Sequence, residues 1–248
     1  MPHSVRPLLL SLVVSCVFTG AAQAQSLTGN AGSANITAGD SAAELRAGID
    51  DEGNVRSRVH IEHAFTDWYQ LRAIASFRQP EGGSWDYSGF TLENWFQWAE
   101  EAGDGAGLNG GLRLAYTFAE NGSPDEVAAR IAMTDRLARD WEWRANLIAA
   151  LETGDQRAEG AELESRLQLT RALSAGWMGT EEMRFGAELF SEYGNSEDLP
   201  GFSQQAHQFG PVFKAKWDNG AYLQTAVRAG LTDGSDDLMA KVFIGREF

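Results

Sequence analysis

Residues 238–248, LMAKVFIGREF, decide the fold of this 248-residue chain. Successive side chains of a β-strand point to opposite sides, so alternation of apolar and other residues predicts a strand with one apolar face. That face carries Leu238, Ala240, Val242 and Ile244. The chain then ends on an aromatic residue, Phe248. The pattern is typical of a strand that contacts lipid on one side, and not of a strand inside a soluble core.

This ending resembles the closing strand of Gram-negative outer-membrane β-barrels. The resemblance implies that Phe248 is an assembly signal read by the barrel-assembly machinery. It also implies the cell outer membrane as the location, with outer-membrane lipid and lipopolysaccharide as further partners. The resemblance covers nearly all of residues 41–248 but includes no family-specific motif, so it transfers no functional residues.

The amino-terminal residues 1–24 have the pattern of a secretory signal peptide. An apolar stretch over residues 8–19 follows a positive start and leads to residues 22–24 (AQA), a small-residue cleavage site. Residues 13–16 (VVSC) support an alternative, because they resemble a lipobox that would acylate Cys16. In either case no cysteine remains for a disulfide or a thiol nucleophile.

Composition restricts how the mature chain could cross a membrane. Mean hydropathy is −0.31, and no apolar run beyond the leader reaches the roughly 18 residues that a spanning helix needs. A closed β-barrel satisfies all backbone groups internally and needs apolar side chains only at alternate positions. The formal net charge of −15 argues against nucleic acid as a partner, because phosphate binding needs a basic surface.

Residues 25–40 are rich in Gly, Ala, Ser, Thr and Asn, and this composition predicts a flexible periplasmic leader. From residue 41 onward the period-2 alternation recurs twelve times. In the second repeat, for example, Val59 and Ile61 alternate with Arg58 and His60. The sequence therefore predicts an all-β fold, a closed antiparallel up-and-down transmembrane β-barrel of about 12 strands over 41–248, with 10 or 14 strands as near misses.

Connection lengths give an independent check, because bacterial barrels have short inner turns and longer outer loops. The second, sixth and tenth connections, near residues 66–67, 139–140 and 218–220, are short as expected for inner turns. The fourth, residues 99–107, is a long exception. The alternative fold is a periplasmic β-sandwich or a soluble lipid-binding barrel, whose strands also alternate. The length of the segments and their regular Arg and Glu face argue against it.

A search for catalytic or metal-binding patterns is negative, so we expect neither an enzyme nor a cofactor. No His-x-Ser sequence occurs beyond the leader, although a serine nucleophile needs a histidine to activate it. His60 and His63 belong to opposite faces of one strand and cannot bind one metal ion together. Closure would bring residues 50–51 and 236–237, all aspartates, to one outer rim. A solvated turn or a divalent-cation bridge to lipopolysaccharide phosphates would fit there.

The polar face of the strands carries the remaining functional signal. Charged side chains on it are nearly balanced in sign, and the residues that we expect to line the lumen and set selectivity are Arg56, Arg58, Arg72, Glu93, Arg113, Arg130, Glu142, Arg144, Glu164, Arg166, Arg184, Glu188, Arg228 and Lys241. Such rows line a water-filled passage or neutralise each other as a plug. The number of strands does not decide between a passage and a plug. Barrels of 8 strands are filled by side chains and barrels of 16 leave a channel, and about 12 strands lie between these sizes.

The sequence therefore favours a passive pore or small-solute transporter for small solutes or ions. Acidic loops would favour cations at its mouth. Two alternatives stay open. One is a structural barrel that binds lipopolysaccharide or a partner without conducting, and the other is a lipid-modifying outer-membrane enzyme.

Overall fold

The computed structural model describes residues 27–99, 108–120, 122–138, 140–155 and 157–248. Over these ranges the chain forms twelve antiparallel strands closed into one barrel, which confirms the predicted fold class and strand number. The predicted signal peptide, residues 1–24, and Cys16 within it lie outside the described residues. None of the helices in the described part is long and apolar enough to cross a bilayer.

Each strand pairs with its neighbours in the sequence, and the first pairs with the last. The strands are β1 Ser41–Asp50, β2 Val55–Thr66, β3 Tyr69–Gln79, β4 Asp86–Ala99, β5 Asn109–Ala119, β6 Asp125–Ala138, β7 Trp141–Thr153, β8 Glu162–Leu173, β9 Thr180–Asn195, β10 Ala206–Trp217, β11 Ala221–Gly230 and β12 Leu238–Glu247. Single turns of 3₁₀ helix occur at Trp177–Gly179 and Phe202–Gln204.

The seam between β1 and β12 closes the barrel. Leu45 lies opposite Ile244 and Ala47 lies opposite Val242 in this antiparallel pair. Beyond the last strand, the N–H of Phe248 donates to the carbonyl of Ser41 at 2.9 Å. Closure leaves no sheet edge with unpaired backbone groups, and lipid offers no partner for such groups.

Apolar side chains cover the outside of the barrel. Ile61 is 61% exposed, Leu147 is 53% exposed and Ile244 is 56% exposed, although all three lie in the middle of long strands. A soluble sandwich or a soluble lipid-binding barrel would turn these faces inward to form a core. The structure therefore excludes the soluble alternatives, because the large apolar side chains face outward and charged ones face inward.

Short turns cluster at the end of the barrel where β1 begins and β12 ends, which we call the inner end. Two residues join β2 to β3 and β6 to β7, and three residues join β10 to β11. This agrees with the expected parity of short and long connections. The β8–β9 connection, which contains a 3₁₀ helix, is longer than these three turns. Most of the β4–β5 connection, the predicted exception, lies outside the described residues.

The structure differs from the expected flexible periplasmic leader at residues 25–40. Residues 27–38, which we call the lumenal segment, run through the barrel interior instead. The N–H of Gly39 donates to the carbonyl of Ala64 at the inner end, and Ala31 and Ala34 are fully buried. Leu27 reaches Gly48 near the outer end of β1, where any Cβ would collide with the Leu27 carbonyl. The small residues that suggested a linker are also those that fit a narrow lumen.

Because the apolar faces point outward, a charged substitution on them should cost more stability in the middle of the membrane than near its surface. Leu147→Arg, in the middle of β7, should lower the free energy of unfolding in phospholipid vesicles by about 2–4 kcal/mol. Val55→Arg, at the outer end of β2, should cost about 0–1 kcal/mol. Urea titration of the two variants measures this difference, and equal costs at the two depths would contradict the orientation.

Candidate functional site: the lumen

All fourteen charged residues predicted to line the lumen lie on the inward face of the barrel wall. Nine of them are buried, namely Arg72, Glu93, Arg113, Glu142, Glu164, Arg166, Glu188, Arg228 and Lys241. The other five are partly exposed and line interior cavities, namely Arg56, Arg58, Arg130, Arg144 and Arg184. This direction follows from the alternation of side chains along each strand. A role of these residues in selectivity stays a prediction.

One buried charge cluster, which we call the Glu188 cluster, fills the lumen beside β8 to β12. Arg228 Nη1 and Lys241 Nζ donate to Glu188 Oε1 at 3.0 and 2.6 Å. Gln168 Nε2 donates to the other carboxylate oxygen of Glu188 at 3.1 Å. Both cations also lie over the ring of Phe190, at 3.9 and 4.6 Å from its centroid. With one carboxylate serving two cations, this side of the lumen is packed like a core.

A second network lies on the wall formed by β3, β4 and β5. Arg72 Nη1 and Arg113 Nη1 both donate to Glu93 Oε2, at 3.3 and 3.2 Å. Arg72 also pairs with Glu62 on β2. The Arg113 guanidinium stacks over the Trp95 ring, 3.7 Å from its centroid. These contacts fix the direction of three charged side chains, of which Arg113 lies beside Gly32 of the lumenal segment.

The lumenal segment is held on one side by three side chains of the barrel wall. Asn146 accepts from the N–H of Gly32 at 2.7 Å and donates to the Gly32 carbonyl at 3.0 Å. Thr134 Oγ1 accepts from the N–H of Ala34 at 3.0 Å. Farther along, Gln97 Oε1 accepts from the N–H of Ile36 at 2.6 Å. An extended segment without its own ladder thus finds partners for its backbone donors.

The opposite wall binds the earlier part of the same segment. Lys241 Nζ donates to the carbonyl of Gly29 at 2.9 Å, and Gln224 Nε2 donates to Asn30 Oδ1 at 3.1 Å. Lys241 also pairs with Glu188, so it links the segment to the buried charge cluster. Residues 27–38 therefore cross the lumen while attached to both sides of it.

Two cavities remain beside the segment. The inner chamber has a volume of about 510 Å³, opens at the inner end and is lined partly by the lumenal segment. The outer chamber has a volume of about 430 Å³ and lies against the outer halves of β2 to β7. Arg113 and Arg130 line both chambers and lie directly opposite each other on β5 and β6. These two guanidinium groups therefore lie at the boundary between the two chambers.

Sequence reasoning omitted several charged lumenal residues. Arg46 pairs with Glu44 at 2.5 Å, and both line the inner chamber together with Lys214. Arg78 lines the outer chamber. All four alternate in phase with the residues that were found, so the same period-2 rule could have identified them. The inward aromatic residue Phe190, which supports the buried cations, follows the same rule.

Neither histidine of β2 forms a metal site. His60 is buried on the inward face, whereas His63 lies on the outer face and contacts Ser41 Oγ through Nδ1 at 2.8 Å. Within the described ranges, no group of three or more His, Cys, Asp or Glu side chains could hold a metal ion.

The predicted acidic rim forms at the outer end. Asp50 and Asp236 line one hollow there. Burial raises the pKa of Asp236, and the negative charges of Asp50, Asp51 and Glu52 raise it further. Lower pH therefore relieves repulsion at this rim by protonating Asp236. The rim explains where part of the net negative charge of the chain is located.

Comparison with known proteins agrees with this geometry. No protein-family model matches the sequence, and no curated protein matches it. Solved structures do match over most of their length. A NanC porin has a TM-score of 0.57 at 8% identity, covering 83% of this chain and 98% of that chain. A KdgM porin has a TM-score of 0.54 at 12% identity, covering 84% and 99%.

An outer-membrane channel from Pseudomonas putida F1 has a TM-score of 0.65 at 11% identity, covering 86% of this chain and 97% of that chain. The chain has the fold of a porin-like outer-membrane β-barrel. At these identities the likeness concerns the fold, and the chemistry of this lumen has to be argued from its own residues.

The Glu188 cluster predicts a strong stability effect inside the barrel. Glu188→Gln removes the carboxylate that the buried Arg228 and Lys241 share, and should lower the free energy of unfolding by about 3–5 kcal/mol. Glu182→Gln removes a half-exposed partner of Arg184 and should cost less than about 1 kcal/mol. Denaturant titration in vesicles compares the two, and a Glu188→Gln barrel as stable as Glu182→Gln would show that the cluster is hydrated.

Proposed function

We propose that this protein is a passive channel for small solutes in the outer membrane, narrowed by its own lumenal segment. The observation that carries the proposal is a pair of chambers inside a closed barrel that share Arg113 and Arg130 in their linings. The Arg and Glu side chains of the wall set its selectivity. Solutes pass beside residues 27–38, since the chambers lie next to the segment.

The size of the barrel supports a narrow route rather than a wide pore. Twelve strands enclose more space than the eight that side chains alone can fill, and less than the sixteen of wide porins. Here the extra space is divided between the lumenal segment, the Glu188 cluster and the two chambers. The route is therefore suited to single small solutes, and the charge at its narrowest part acts at close range.

Barrels of this fold can hold a solute. A KdgM porin has been solved in complex with disordered oligogalacturonate, and that structure matches this chain with a TM-score of 0.52 at 11% identity. This supports passage of a solute through the fold. The identity of the solute here depends on the residues of this lumen.

The enzyme alternative receives little support. Ser41 and His63 are in hydrogen-bond contact on the outer face, but a serine nucleophile also needs a third group that orients the histidine. Among the described residues, no carboxylate forms an ion pair with His63. Two porins and an outer-membrane channel are among the solved structures that match. We therefore propose transport and assign no catalytic residue.

Removal of the lumenal segment should widen the channel. Deletion of residues 27–37, behind an intact leader, should raise the single-channel conductance in planar bilayers severalfold, because the segment lies in the conducting space. Gly48→Val offers a milder change, since its side chain would displace the Leu27 end of the segment, and should give an intermediate increase. A barrel without discrete current steps in all three forms would instead support a structural role.

Arg130 should favour anions at the narrow place between the chambers. Arg130→Ala removes a guanidinium that has no carboxylate partner, and should shift the reversal potential in a KCl gradient toward cation preference. Arg171→Ala removes the same charge from the outward face of β8 and serves as the control. Equal reversal potentials for Arg130→Ala and the unaltered protein would show that the ions do not pass this residue.

A further inference from the structure

The outer chamber contains arginines that the rest of the wall does not neutralise. Elsewhere in the described part of the lumen each buried arginine has a nearby acid, as Arg166 has Glu164 at 2.7 Å and Arg72 has Glu93 at 3.3 Å. Arg58 and Arg130 line the outer chamber, and neither forms an ion pair or a side-chain hydrogen bond with another described residue. The Nε of Arg130 is buried without any acceptor.

The carboxylates of the same chamber are already engaged. Glu93 serves Arg72 and Arg113, and Glu152 accepts the N–H of Ala158 at 2.7 Å. Glu126 also has a partner. The chamber as a whole is lined by five guanidinium groups and three carboxylates, namely Arg56, Arg58, Arg78, Arg113, Arg130, Glu93, Glu126 and Glu152. An anion is thus the complement that the chamber lacks.

Strand register concentrates this positive charge. Arg113 lies directly opposite Arg130, and Arg46 lies directly opposite Arg58. Like charges directly opposite each other on one face of a sheet are destabilising. In both pairs only one member has an acid of its own, Glu93 for Arg113 and Glu44 for Arg46. A bound oxyanion would supply the negative charge that Arg130 and Arg58 lack.

At its mouth, unlike in its deeper part, the chamber borders a hollow that contains acidic side chains. Arg56 and Arg78 border both the outer chamber and the hollow that contains Asp50 and Asp236. These two arginines therefore face acidic groups at the rim. The inference rests on the deeper pair, Arg58 and Arg130, which the rim hollow does not include.

The remaining lining is rich in hydroxyl groups. Thr91 and Thr117 contact each other through their Oγ1 atoms at 2.9 Å, and further hydroxyls come from Ser76, Ser88 and Ser123. Hydroxyl groups donate and accept hydrogen bonds, so they match a ligand that itself carries hydroxyls. The volume of about 430 Å³ lies within the usual range for small-molecule sites.

We infer that the outer chamber binds a small hydroxylated organic acid, whose carboxylate is held by Arg58 and Arg130 and whose hydroxyls contact the serines and threonines of the wall. This inference rests on the proposed function and deepens it, because it names the class of solute that the channel carries. Arginine suits this task, since its planar fork binds a carboxylate through two parallel hydrogen bonds.

Gluconate is a suitable probe, because it combines one carboxylate with several hydroxyls. Calorimetric titration of the refolded full barrel in detergent, at constant ionic strength, should show saturable binding with a dissociation constant on the order of 1 mM. Acetate, which has the carboxylate alone, and sorbitol, which has the hydroxyls alone, should each bind at least about tenfold more weakly. Gluconate binding no tighter than acetate overturns the inference.

Substitutions locate the site. Arg58→Gln and Arg130→Gln should each weaken gluconate binding about tenfold or more, because each removes a charged hydrogen bond. Arg171→Gln, on the outward face, loses the same charge and should leave the affinity unchanged. Heat-modifiable migration in gels verifies that each variant is a folded barrel. Unchanged affinity in folded Arg58→Gln and Arg130→Gln barrels overturns the inference.

Planar-bilayer recording separates this inference from the proposed function. If the barrel binds gluconate but shows no current steps, the binding site is supported and the proposed channel function is wrong. If the barrel conducts but does not bind gluconate, the channel function is supported and the inferred binding site is wrong.

Discussion

The structure depends on one constraint, which is that a backbone surrounded by hydrocarbon must satisfy all its hydrogen bonds within the sheet. The β1–β12 seam meets this requirement, since it turns twelve strands into a sheet without an edge. Closure also divides side chains into two sets by parity alone. Those facing out, such as Leu147 and Ile244, contact lipid, and those facing in must share a confined space.

The inward set shows how that space is used. A charge inside a low-dielectric wall is costly without a partner. Most charged side chains of the lumen therefore form local ion pairs, as Arg166 does with Glu164. The Glu188 cluster goes further and packs two cations on an aromatic ring. These regions behave as a polar core. The two chambers are the parts in which packing is incomplete, and therefore the parts in which a solute could be accommodated.

Much of this architecture could be predicted from the sequence, because the side-chain period of a strand is fixed at two. The alternation around Arg113 and Arg228 was enough to place both inside the barrel. The path of residues 27–38 could not be predicted in the same way. Their composition suits a linker as well as a lumenal segment, and their partners Asn146, Thr134 and Gln97 lie between 61 and 114 residues away.

The pairing of charges was also beyond the sequence. Whether an arginine meets a carboxylate depends on strand register, as with Arg72 between Glu62 and Glu93, and on which side chains share a chamber. For this reason the difference between Arg166, which is paired, and Arg130, which is not, emerges only from the folded barrel. That difference separates the wall residues with a structural role from those that we assign to the solute.

Spin-label accessibility along β7 in lipid vesicles tests the central claim most directly. Labels at successive positions 145 to 149 should alternate, with high collision rates toward lipid-dissolved oxygen at 145, 147 and 149 and low rates at 146 and 148. The account predicts this period of two, in phase with the outward side chains. Uniform accessibility to a water-soluble relaxant, or alternation in the opposite phase, would contradict a barrel with a lipid-facing exterior and a charged lumen.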